Sequence, residues 1–123
     1  MKGIRGAASI EANTPTAILS ATRDMLQEIV RRNSVQPSDI VAALFTLTPD
    51  LNAAFPAAAA RDPDTGLGWR DVPMMCAQEI PVPGALPGIV RVLLFVERTG
   101  PVHHVYLGRA RSLRPDLAEE GVE

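Results

Sequence analysis

A mixed α/β chain, with one small antiparallel-leaning sheet and helices on one face, is the fold class this sequence predicts. Three observations predict it. The segment after Asn13 places apolar residues at helical spacing over several turns. Shorter apolar runs, alternating or continuous, recur between Pro- and Gly-rich connectors, as strands do. Their order, β-α-β-α-β-β-β, suits a sheet that buries one face under helices.

Residues 2–11 alternate loosely, with Ile4, Ala8 and Ile10 on one side and Arg5, Ala7 and Ser9 on the other, and read as a strand. Gly3 and Gly6 flank Arg5 and leave room for close approach of a ligand or another backbone. Asn13-Thr-Pro15 starts a helix, with Thr14 as N-cap and Pro15 at the first position. Ile18, Met25 and Ile29, with Leu19, Leu26 and Val30, form its apolar stripe, and Asn33 is expected to end it in the left-handed conformation. A second strand is read over Ile40–Thr48. Thr48-Pro-Asp50 is a turn, followed by a short Ala-rich helix over 53–61 in which Pro56 fits only the first turn. Asp62–Gly68 is a loop by composition. Val72–Ala77 is a short strand, Pro81 to Gly88 a rigid connector, 89–98 a long strand and Val102–Leu107 the last one. The 123 residues are expected to form one domain, with 118–123 a flexible acidic tail. A sheet this small has edges that invite pairing with a second subunit.

Apolar residues make up 46% and charged residues 21%, with a net charge of −2, so neither a nucleic-acid nor a membrane partner is expected. Lys2 is the lone lysine among twelve basic residues; arginine is the better carboxylate clamp because its planar fork binds bidentately. The single cysteine, Cys76, leaves no internal disulfide. Met1–Gly6 carries no apolar leader core, and a cytoplasmic location is expected.

Arg91 interrupts the apolar run Ile89-Val-Arg-Val-Leu-Leu-Phe-Val96. A guanidinium there is costly unless something anionic meets it. Glu79 or Glu97 could do so as a structural ion pair, or a ligand could. Arg5, Arg61 and Arg91 each sit among small or apolar residues rather than in a charged run, although Arg61 also suits a helix C-terminus. Cys76 reads as a small buried hydrophobe or a nucleophile, and Glu79 as a solvated strand end, an electrostatic partner or a base. Tyr106 lies on an alternating strand where its hydroxyl can reach an anion. Trp69 reads as a packing anchor. His103 and His104 point to opposite faces of a strand and cannot chelate together, so no metal site is expected. The sequence has no nucleophile elbow, phosphate loop or dinucleotide fingerprint, and no cofactor is expected. Arginines, a carboxylate and a phenol without a nucleophile suit a small dianionic ligand that is bound and reshaped electrostatically.

Six blocks, in order along the chain, resemble the AroH-class monofunctional chorismate mutases: Met1-Lys-Gly-Ile-Arg-Gly-Ala7, Thr48-Pro-Asp-Leu-Asn-Ala-Ala-Phe-Pro56, Cys76-Ala-Gln-Glu-Ile80, Ile89-Val-Arg-Val92, His104-Val-Tyr-Leu107 and Leu113-Arg-Pro-Asp-Leu117. The resemblance implies a pseudo-α/β-barrel homotrimer with active sites between subunits. It implies a cofactor-free Claisen rearrangement of chorismate to prephenate in phenylalanine and tyrosine synthesis. By position, it implies that Arg91 meets the breaking ether oxygen and that Glu79, with Cys76, meets the ring hydroxyl. Glu79 would then stand opposite Arg91 across the substrate instead of pairing with it. Arg5 and Tyr106 would hold a side-chain carboxylate, and Arg61 and Arg114 would belong to segments covering the site. Phe55, Ala57, Val72 or Met74, and Met75 would line it. Ala58 stands where relatives often carry a basic residue, and the Asp62–Gly68 loop is longer than usual. The nearest rival is the RidA-type imine deaminase, whose C-terminal signature is absent; a non-enzymatic metabolite-binding or scaffold trimer is the other.

Overall fold

A computed structural model describes residues 1–116; the expected 118–123 tail lies outside the described residues. Lys2–Ser9 forms β1, Pro15–Asn33 α1, Ile40–Leu47 β2, Ala57–Arg61 α2, Met74–Gln78 β3, Ile89–Val96 β4 and Val105–Leu107 β5. Short 3-10 turns follow α1, α2 and β5. The element order matches the expected one. The sheet runs β3-β2-β4-β1-β5; β4 is antiparallel to both β1 and β2, while the edge strands β3 and β5 run parallel to β2 and β1.

Thr14 caps α1 through its hydroxyl, 3.1 Å from the Ala17 amide, with Pro15 at the first position. The helix buries Ile18, Met25, Leu26 and Ile29 against the sheet, together with Thr22, whose hydroxyl donates to the Ile18 carbonyl at 2.7 Å. Val90, Val92, Leu94 and Val96 of β4 face the same core, as do Ile4, Phe45 and Leu47. Both helices cover this one face. Gly6 permits the contact: a Cβ there would sit 2.6 Å from Ile29 Cδ1. The close approach that Gly6 permits is therefore that of the helix.

Several boundaries differ from expectation for local reasons. Ser34, not Asn33, takes the left-handed position (φ 51°, ψ 44°). Asn33 is buried, and its amide donates to the Ile29 and His103 carbonyls while its oxygen accepts from the His103 amide. That clamp delays β5 until Val105. The helix expected over 53–61 begins only at Ala57, after Pro56, because the Asn13 side chain captures the Asn52 and Ala53 amides. The first strand ends at Ser9 because the Ile10 amide turns to the Gly88 carbonyl, 2.7 Å away. The Val72–Ala77 strand shifts to Met74–Gln78, and the 89–98 strand stops at Val96, after which the Glu97 amide bonds the Asp39 carbonyl.

Two carboxylates sit below their usual pKa range. Hydrogen bonds from Arg31 and Arg32 lower Glu28 against the opposing effect of burial. For Asp50 burial is the largest influence and acts upward, but the Thr48 hydroxyl, the Gly88 amide and the Arg109 charge together pull the value down. The unfolded chain protonates first, so the stabilisation exists above the unfolded pKa and is lost as pH falls through the folded one. The thermal midpoint should therefore drop from about pH 5 downward. A Glu28→Gln, Asp50→Asn variant should lose less across that range than the unsubstituted chain; an equal loss would show that neither group contributes.

Candidate active site

Strand pairing builds the site before any side-chain contact is considered. Across the face away from the helices, Ala77, Thr46, Arg91, Ala7 and Tyr106 fall in one row over all five strands. Met75, Leu44, Leu93 and Arg5 form the next row. Arg5, Arg91 and Tyr106 thus meet around a cavity of about 250 Å³, with Leu44, Thr46 and Leu93 in its floor and walls. The Arg5 amide donates to His104 Nδ1 at 2.9 Å, which ties β1 to the segment leading into Tyr106. His104 thus accepts a backbone hydrogen bond, and among the described residues no cluster of metal-ligating side chains occurs.

Glu79 lies just past β3, where its amide bonds the Leu47 carbonyl at 2.9 Å. Its carboxylate turns onto the same face as Arg91. Oε2 accepts from the Thr46 hydroxyl at 2.7 Å and stands 2.9 Å from Arg91 Nε. Glu79 and Arg91 are therefore direct partners, which corrects the expectation that Glu79 faces Arg91 only across a substrate. The contact is close but poorly aimed: Arg91 Nε is buried and makes no directed hydrogen bond. It balances charge without the bidentate fork that would occupy the whole guanidinium. Arg91 and Glu79 also border a second cavity of about 240 Å³, walled by Asp50 and the proline-rich 80–87 segment.

The other expected residues lie elsewhere. Cys76 pairs with Phe45 and packs against the helix-side core, on the opposite face from Arg91. With Phe55, which is 72% exposed, it lines a separate cavity of about 370 Å³. Val72 and Met74 also pack on that core. Ala57 is 3% exposed, with its side chain packed in the core. Met75 is 69% exposed on the open sheet face at the β3 edge. Arg61 is exposed at the end of α2. Arg114 pairs with Asp116, whose hydrogen bond and charge raise its pKa, and it lies near Tyr106. Trp69 is buried in the core as an anchor.

Thr46 was not among the expected site residues. Its signal was present in the sequence: it is the only polar side chain in Ile40–Leu47, as Arg91 is in its own strand. Among the described residues no base lines the cavity beside Cys76, so Cys76→Ser should retain activity within about threefold, the scale of a conservative change at a site used for packing. An inactive yet normally folded Cys76→Ser protein would show that the sulfur takes part.

A five-stranded mixed sheet under two helices, with cationic and phenolic side chains gathered on its bare face and no nucleophile among them, defines a site built to bind and polarise an anion. A sequence model of the type I chorismate mutases matches residues 1–117. A chorismate mutase AroH of Thermus thermophilus is 46% identical over 121 residues, covering 95% of this chain and 96% of the relative. The Bacillus subtilis chorismate mutase AroH is 41% identical, covering 96% and 93%. A solved chorismate mutase from Clostridium thermocellum superposes with a TM-score of 0.85 at 38% identity, covering 91% of this chain and 99% of the other. The chain belongs to the type I chorismate mutase family.

Proposed function

We propose that this protein is an isomerase that rearranges chorismate to prephenate, in phenylalanine and tyrosine biosynthesis, at sites shared between subunits of a homotrimer. The observation that carries the reading is the row placing Arg91, Ala7 and Tyr106 side by side, with Arg5 in the next row and Glu79 2.9 Å from Arg91. The reaction breaks a C–O ether bond while a C–C bond forms. No proton, electron or covalent intermediate is needed, and neither a nucleophile nor a cofactor has work to do.

Chorismate carries two carboxylates, an ether oxygen and, on the neighbouring ring carbon, a hydroxyl. The substrate must fold so that its side chain lies over the ring. Arg5 and Tyr106, with Arg61 or Arg114 closing over them, hold a carboxylate and lower the entropic part of the barrier. In the transition state the ether oxygen gains negative charge and the ring positive charge. The terminal nitrogens of Arg91 meet the first, and the Glu79 carboxylate stabilises the second while binding the ring hydroxyl. Because those oxygens are on adjacent carbons, a guanidinium and carboxylate side by side fit them without separating.

What one chain leaves apart supports that assembly. Phe55 and Cys76 lie on the helix side, while Arg5, Arg91 and Tyr106 lie on the open face; a site that draws the two groups from different subunits would bring both to one substrate. Leu44, Leu93, Phe95 and Met75 give the open face an apolar surface for a partner copy to cover. The lone cysteine suits the cytoplasm, and among the described residues no helix is long and apolar enough to cross a membrane. Loss of chorismate diene absorbance with formation of prephenate tests the reading. No turnover by pure protein would favour a binding module, and ammonia release from an imine substrate would favour a deaminase.

A further inference from the structure

We propose that Thr46 is a positioning residue that fixes which oxygen of Glu79 meets the substrate, an inference that rests on the chorismate reading above. Three observations converge on it. Thr46 Oγ1 donates to Glu79 Oε2 at 2.7 Å, the length of a charge-assisted hydroxyl–carboxylate bond. The same Oε2 faces Arg91 Nε at 2.9 Å. Thr46 is also the direct β-ladder partner of Arg91. Oε2 is therefore held by the Thr46 hydroxyl beside the Arg91 charge, and Oε1 is the oxygen left to accept from a ring hydroxyl.

The backbone alone does not achieve this. The Glu79 amide bond to the Leu47 carbonyl fixes where the residue starts, but three side-chain torsions remain. The Thr46 hydroxyl, carried on a stiff β-branched side chain in a central strand, removes most of that freedom. It also draws the carboxylate sideways along the row, so that only one edge of the guanidinium is engaged and its terminal nitrogens stay directed at the ether position. Without the hydroxyl, Glu79 can rotate to chelate Arg91 bidentately, the more favourable arrangement for an isolated pair. That rotation would withdraw both charges from the substrate at once. A valine in this strand would pack equally well, so what the hydroxyl adds is its bond to Glu79.

The test uses the full-length protein in its native assembly. Thr46→Val removes only the hydroxyl and should lower kcat about tenfold, with KM changed less than about twofold, the size expected for one hydrogen bond to a charged group. Thr46→Ser should restore kcat to within about twofold, and Thr46→Ala, which removes the same hydroxyl, should match the valine variant in kcat. Adding Thr46→Val to Glu79→Gln should cost nothing further, because the hydroxyl acts through the carboxylate. Unchanged kcat in Thr46→Val, failure of serine to rescue, or full additivity with Glu79→Gln would overturn the role while leaving the chorismate reading intact. Absence of chorismate turnover by the unsubstituted protein would overturn both.

Discussion

Arg91→Ala should lower kcat by at least ~10²-fold while leaving the fold intact, because one preorganised charge at a developing oxyanion is worth roughly 3–4 kcal/mol. The loss should appear in kcat more than in KM: the ether oxygen carries little charge in bound chorismate and much more as its bond to the ring breaks. Arg91→Gln is the sharper variant. It keeps a donor and much of the side-chain length but removes the charge, and it should be nearly as slow as the alanine variant. Thermal unfolding separates chemistry from stability. The Arg91 side chain is 43% exposed and its contact with Glu79 is misaligned, so its removal should shift the midpoint by only a few degrees. An Arg91→Gln protein with near-normal kcat would end the electrostatic account of this residue.

That prediction was half legible in the sequence. A charge inside an apolar strand marks itself, and alternation alone places Arg91 on one face with Leu93 and Phe95. Its partner was not legible to the same degree. Glu79 reaches Arg91 because β3 runs parallel to β2 and β2 antiparallel to β4, a non-local arrangement that no spacing along the chain encodes. Alternation did carry one warning about the expected set: Cys76 and Glu79 are three residues apart, so an extended strand sends them to opposite faces. The structure follows that rule, and a joint contact of both with one hydroxyl on a single chain is not what the sheet offers.

Element types and order were readable because each segment's periodicity agrees with its environment, from the Thr14–Pro15 start of α1 to the apolar run of β4. Boundaries moved wherever a side chain took a backbone partner from a distant element. Asn33 holds His103 and shortens β5; Asn13 holds the Asn52 and Ala53 amides and shortens α2. Such captures depend on tertiary proximity, and they occur at the segments that flank the site. The burial of Ala57 has a related cause: the start of α2 turns its small side chains into the core, leaving Phe55 just before it as the exposed surface.

The separation of Phe55 from Arg91 leads to the second large effect. In a cyclic trimer with heterologous contacts, each site would take the Arg91 face from one subunit and the Phe55 side from its neighbour. Phe55→Asp places a carboxylate beside a dianion and should cost on the order of tenfold or more in kcat/KM; at 72% exposed, the position tolerates the change without unfolding. Arg91→Ala disables the opposite half. When the two variants are co-assembled in equal amounts, about one site in four combines an intact face with an intact neighbour. The mixture should therefore recover roughly a quarter of the unsubstituted activity, well above either parent. If both halves of a site came from one chain, every site would carry one defect, and the mixture would never exceed the more active parent. Complementation thus reads the origin of the two half-sites directly, and a mixture that stays at or below the better parent would overturn the shared site.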